Sequence, residues 1–258
     1  MIKLIKRTIF RILPLASYLR ILQQSYFFSY RIGLLKFSRN YDYHYYVKKL
    51  IRKGDTIIDI GANLGYYSIL FSRWTGENGK VLSVEPIQIY NQVFNKKAKN
   101  KKNIQLFPYA LGTEEKTVQL VSSPHTGYLR TGLPHIYDSS KDGELANQEF
   151  TFDTEMKQAS KLFKDLEKID YIKCDIEGFE FVVLSEMKEL ILKHRPKIQV
   201  EVWAENEASL LSFFEEMNYT PYKVLKTQLI EQEKGKKPLQ GDYIFISNRH
   251  ELSALCLR

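Results

Sequence analysis

The chain has 258 residues, of which 44% are hydrophobic, and a formal net charge of +8. That suits one α/β domain with a short appendage and a sizeable core. Two cysteines, Cys174 and Cys256, exclude a disulfide framework; no Cys/His spacing suits a metal and no apolar run reaches the length of a membrane span.

Residues 1–40 form a basic arm. Lys3, Lys6, Arg7, Arg11, Arg20, Arg31, Lys36 and Arg39 lie in it without a single acid, so the remainder of the chain is balanced. Ile2, Ile5, Ile9 and Ile12 share one helical face, with Lys3, Arg7 and Arg11 on another, and Pro14 ends that helix. A second helix is predicted from about Ser17 to Leu35. Two readings stand side by side: residues 1–35 lie on an anionic membrane face, or they cap the domain and line its substrate cleft. A secretory leader is not expected, because Arg11 interrupts the early apolar stretch and no small-residue cleavage site follows. The expected setting is reducing and cytoplasmic.

From residue 41 to 258 the pattern is that of a single domain. Strands are predicted near 56–60, 81–84, 104–107, 170–174, 198–202, 219–224 and 242–246, and helices near 64–74, 87–99, 178–194 and 207–217. Strand–helix alternation implies a parallel, doubly wound sheet, and the helix-free ending implies an antiparallel last strand. Residues 112–168 read as a loop-rich insertion carrying Ser122–Gly127, Gly132–His135 and Ser139–Gly143, a place for substrate contacts. The Lys96–Lys102 run reads as a solvated helix end, and no nucleic-acid module is evident.

The informative stretch is Gly54–Gly65. Thr56–Ile60 are a buried strand, and Gly61 and Gly65 open a tight turn into a helix. Asp59 stands at the strand's carboxyl end, where open α/β sheets bind ligands. Glu85 ends the second strand, 24 residues beyond Gly61, where an acid accepts ribose hydroxyls. The turn is G-x-x-x-G rather than G-x-G-x-x-G, which suits a nucleoside with an amino-acid tail better than a pyrophosphate. Asp59 and Glu85 would meet the ammonium and the ribose of S-adenosylmethionine.

Asp59–Ser68, Val84-Glu85-Pro86, Tyr171–Glu180, Arg195-Pro196 and Val200-Glu201-Val202 together resemble the FkbM family of S-adenosylmethionine-dependent methyltransferases. The resemblance covers roughly Asp55 to Val202 and implies a class I methyltransferase fold, a Rossmann-like doubly wound sheet. It also implies O-methylation, often of a sugar or polyketide-type hydroxyl. A glycan or glycolipid precursor is the expected acceptor.

The cofactor contacts expected are Asp59, Gly61, Ala62, Asn63, Gly65, Tyr67, Ser68, Glu85, Pro86, Tyr109, Ala110 and Asp175. Asp175, Glu177 and Glu201 are the candidate catalytic residues. Such acids have three roles open to them: general base, anchor for the cofactor amine, or ligands for a divalent cation. No metal is assigned among these. Glu180 reads equally as a site residue or as a helix N-terminal acid. Trp203 stacks on a ligand or packs in the core, and His125 and His135 are further candidate bases. Two other functions compete: a non-catalytic nucleoside-binding scaffold and a nicotinamide-dependent oxidoreductase.

Overall fold

The computed structural model describes residues 2–122, 128–148, 150–232 and 241–248, with the backbone alone over 2–5. His125, most of the Ser122–Gly127 motif, His250 and Cys256 lie outside the described residues.

Helices α1 (Ile2–Ile12) and α2 (Leu15–Arg31) precede a short α3 (Asp42–Tyr46). The α/β body then runs β1 (Thr56–Ile60), α4 (Tyr66–Thr75), β2 (Lys80–Val84), α5 (Gln88–Ala98) and β3 (Ile104–Phe107). β4 (Ala110–Leu111) leads into the insertion, which holds β5 (Lys116–Ser122), β6 (His135–Ile136), α6 (Ser139–Asp142), β7 (Phe150–Lys157) and α7 (Ala159–Leu162). The body resumes with β8 (Tyr171–Cys174), α8 (Glu180–Glu186), α9 (Lys188–His194), β9 (Lys197–Val200) and α10 (Glu207–Glu216). It closes with β10 (Tyr219–Leu225), β11 (Gln228–Glu231) and β12 (Tyr243–Ser247).

The main sheet has the order β11-β10-β12-β9-β8-β1-β2-β3. Strands β3 to β9 pair in parallel, while β12, β10 and β11 join antiparallel. All five residues of β1 are buried, as a strand covered on both faces requires. The winding reverses between β1 and β8, so a crevice opens at their carboxyl ends. Register places Asp59 between Ser83 on β2 and Lys173 on β8.

Three expectations change. The insertion is strand-rich: β4-β7-β5-β6 form a second sheet, and Val118, Leu120 and Met156 turn inward. The helix predicted over 178–194 breaks at Met187 into α8 and α9, so that Val183 and Leu184 on one piece and Leu190 and Ile191 on the other all reach the core. An extra hairpin strand, β11, follows Lys226, which takes a left-handed φ of 57°.

Helix α2 packs on α5 and α4. Tyr18 and Leu19 are fully buried, and burying a side chain of Leu size is worth roughly 2 kcal/mol. Gln23 Nε2 donates to the Leu64 carbonyl at 2.7 Å, and Tyr18 Oη donates to the Leu129 carbonyl at 3.2 Å. The arm's second helix thus rests on both the glycine turn and the insertion.

Candidate active site

The β1–α4 turn is shaped by a close approach of two chain segments. Gly61 has φ +76°, and a Cβ there would fall 1.9 Å from the Asp175 carbonyl oxygen. Gly65 has φ +81°, and its Cβ would meet the Phe94 ring at 2.6 Å. Both positions therefore need glycine for conformation and for space. Between them, Asn63 takes φ 53°, which asparagine tolerates, and its Oδ1 accepts the Leu64 N–H at 2.8 Å. Its Nδ2 donates to the Thr131 carbonyl at 2.6 Å, tying the turn to the insertion.

A cavity of about 200 Å³ opens above this turn. Asp59, Gly61, Ala62, Asn63, Tyr67, Glu85, Pro86, Tyr109, Ala110, Asp175 and Glu177 all line it. Two of the expected contacts sit behind the wall. Gly65 caps α4 against Phe94, and Ser68 is buried beneath Asp59, donating to its Oδ2 at 2.5 Å and accepting from Ser83 Oγ at 2.8 Å.

Asp59 is wholly buried, and its Oδ1 has no partner among the described residues. Burial raises its carboxyl pKa, against the pull of Lys173 and the Ser68 hydroxyl. An orphaned buried acceptor facing a cavity calls for a donor from a ligand. Glu85 accepts the Ile87 N–H on Oε1 at 2.9 Å and the Asn63 N–H on Oε2 at 2.8 Å. Burial nevertheless pushes its pKa up to about 7. Each of its oxygens keeps a second lone pair for a hydroxyl. Tyr90 also lines the cavity, and its buried Oη has no partner among the described residues. This donor-hungry wall fits the ammonium and ribose ends of S-adenosylmethionine.

At the far end lies a group of acids. Lys173, only 3% exposed, places Nζ 2.8 Å from Asp175 Oδ2. Burial opposes the lysine's charge, but Asp175 and Asp59 outweigh it and hold its pKa above the usual value. Asp175 is two-fifths open to the cleft, and Lys173 holds its pKa down against burial. Asp175, Glu177 and Glu201 offer carboxylate oxygens within 4.8 Å of one another. Burial and the Asp175 charge push Glu177 up to about 8 and Glu201 up to about 9. Glu201 and Asp175 share a hydrogen bond beside the Lys173 ammonium, and the three acids are close enough to hold a divalent cation.

Other candidates find structural work. Glu180 is buried, and its Oε1 accepts the Ile176 and Gly178 N–H groups, each at 3.0 Å, while its Oε2 takes Asn206 Nδ2 at 3.1 Å. It builds the loop that carries Glu177. Trp203 is 42% exposed, outside the core, and its indole N–H donates to Glu201 Oε2 at 3.3 Å. His135 lines the cavity, but both ring nitrogens face acceptors, Asp142 Oδ1 at 2.8 Å and the Leu133 carbonyl at 3.0 Å. These contacts pin the insertion loop.

Among the cavity residues not predicted from the sequence, Lys173 and His44 carry charge or titrate. Lys173 lies two residues before Asp175 on the same strand, and that spacing puts both on one face. His44, from α3, stacks on Tyr67 with ring centroids 4.2 Å apart and shares a 2.6 Å hydrogen bond with Tyr26 Oη. Burial, aided by Lys173, lowers its pKa to about 3, so it stays neutral. Fifteen residues before Asp59 and without a motif, it left no signal.

A sheet ordered with five parallel strands and an antiparallel close, and carboxylates at the ends of β1, β2 and β8, define the class I methyltransferase fold. The methyltransferase FkbM domain model matches residues 59–221. The chain belongs to the FkbM family of methyltransferases, whose methyl donor is S-adenosylmethionine. Methyltransferase sdnD of Sordaria araneosa is 26% identical over 171 residues, a match spanning 57% of this chain and 66% of that protein. A crystallised methyltransferase FkbM from Methylobacillus flagellatus KT shares the fold, with a TM-score of 0.50 and 15% identity over 80% of this chain. The chain spans about half the length of that structure (47%) and about two thirds of sdnD.

Proposed function

We propose that the chain transfers the methyl group of S-adenosylmethionine to an oxygen, the acceptor being a sugar hydroxyl of a glycan or glycolipid precursor at the cytoplasmic side of a membrane. The observation that carries this reading is the acidic group of Asp175, Glu177 and Glu201 at the mouth of the nucleoside cavity. When bound, the donor supplies an electrophilic methyl carbon on a sulfonium. Asp59 Oδ1 would accept its ammonium and Glu85 its ribose hydroxyls, with Tyr109 and Ala110 beside the adenine.

Glu177 is the proposed base. It stands where the cavity meets a second, polar cleft under the insertion, and both clefts share His135, Ile136, Glu177 and Phe179. A carboxylate whose pKa lies near 8 takes a hydroxyl proton better than an ordinary glutamate does. Lys173 keeps Asp175 ionised, and protonated Glu201 closes the network behind it. Gln119, Asp153, Tyr137 and Ser139 line the second cleft with the hydrogen-bonding groups that a polyhydroxylated acceptor needs.

The test begins with calorimetric titration by S-adenosylhomocysteine, followed by a glycan acceptor screen. The ionised base is the active form, so kcat/KM should rise with pH through about 8. Glu177→Gln should lower kcat by about 10²–10⁴-fold and abolish that limb, while leaving S-adenosylhomocysteine affinity in place. No binding by the folded chain would remove the methyltransferase reading, and a fully active Glu177→Gln would remove the base.

A further inference from the structure

We infer that the end of α2, the turn that follows it and the Lys226 hairpin tip form a docking surface for an anionic phospholipid membrane; the inference takes its purpose from the proposed lipid-linked acceptor. The sequence pattern points to the isoleucine face of α1 for this role. On that face Ile9 packs on the cluster of Tyr18, Leu64 and Tyr90, while Ile12 stands 72% exposed. A denser group of large apolar side chains is left in solvent further on, at Phe28 (65% exposed), Ile32 (58%), Leu34 (56%) and Phe37 (91%). Scattered exposed apolar residues are ordinary, whereas a run of four within ten residues marks a surface made to meet something.

Charge selects the occupant. A groove beside these side chains is lined by Arg31, Lys36, Phe37, Arg39, Lys48 and Lys226. None of these five cations enters an ion pair among the described residues. The acid in the groove, Asp42, already accepts the Lys226 backbone N–H at 2.9 Å. Aromatic and aliphatic side chains flanked by uncompensated cations suit the boundary of a bilayer, rings among the headgroups and ammonium and guanidinium groups on the phosphates. The surface also lies next to the chemistry. Asp42 and Tyr45 of α3 line the groove while His44 of the same helix lines the nucleoside cavity, so one short helix separates lipid from cleft.

The experiment is co-sedimentation of the full chain with vesicles of phosphatidylcholine alone and of phosphatidylcholine mixed with phosphatidylglycerol. Binding should be confined to the anionic vesicles and should weaken with salt. Arg31→Ala/Lys36→Ala/Arg39→Ala should reduce partitioning on the order of 100-fold, each cation near an anionic surface being worth about a factor of five. Phe28→Ser/Phe37→Ser should also reduce it. Titration with S-adenosylhomocysteine reads the cleft separately and should be unchanged in both variants. Its failure in the parent chain would sink the enzymatic reading and leave the surface standing. Equal sedimentation with both vesicle types, or undiminished binding by the variants, overturns the inference. So does self-association of the lipid-free chain that Phe28→Ser/Phe37→Ser abolishes.

Discussion

The two ends of the cleft are built in different ways. At the donor end, backbone geometry does the positioning: Gly61 lets one turn press on the Asp175 carbonyl, and both oxygens of Glu85 are held by N–H groups before any ligand arrives. At the acceptor end, side chains from β8, β9 and the insertion converge, and their carboxylates stand close enough to disturb one another's protonation. The first end is fixed by backbone, as suits the donor proposed for it. The second is electrostatically adjustable, as suits the proposed acceptor and a proton to be moved.

The contrast can be broken at its rigid end. Gly61→Ala forces a side chain into left-handed backbone and onto the Asp175 carbonyl, costs of about 1–2 and 1–3 kcal/mol respectively. The expected outcome is a chain with a depressed thermal midpoint and no S-adenosylhomocysteine binding; a midpoint within error of the parent would refute the close-approach account.

A smaller effect is expected from Asp59→Asn. Loss of a charged, buried acceptor should weaken S-adenosylhomocysteine by roughly 10–100-fold with the fold intact, measured by calorimetry. Unchanged affinity would mean that Oδ1 meets no donor in the ligand.

The least disruptive change is at the adjustable end. Gln119 donates to Asp153 Oδ1 at 2.9 Å on the insertion sheet, within the second cleft. Gln119→Ala should raise the acceptor KM several-fold, about the worth of one hydrogen bond, and leave S-adenosylhomocysteine affinity alone. A change in donor affinity instead would show that the two ends are not separable in this way.

The same division explains what could be read from the residues in advance. Donor-side features are local: a β-branched strand, a glycine turn and an acid at the next strand's end lie close in sequence and imply their own geometry. Lys173 is equally local, since strand alternation pairs it with Asp175. The acceptor side is assembled across long separations. His44 reaches the cavity by stacking on Tyr67, and the insertion's second sheet depends on β5 finding β7 some thirty residues later. Strands whose partners lie far along the chain carry no local turn signal that announces the pairing. Glu180 reads from the sequence equally as a site residue or a helix N-terminal acid, and its Oε1 accepts two backbone N–H groups that fold the loop while Oε2 takes Asn206 Nδ2.

Asn63 joins the glycine turn to the insertion. Its backbone N–H is held by Glu85 and its side-chain amide by the Thr131 carbonyl, so one residue answers to the acid proposed for the ribose and to the insertion wall of the same cavity. Such sharing is a thermodynamic linkage: any ligand that steadies the residue on one side steadies it for the other, reciprocally. With a single neutral hydrogen bond as the connection, that cooperativity is bounded at about 1 kcal/mol, roughly a fivefold change in one ligand's affinity by the other.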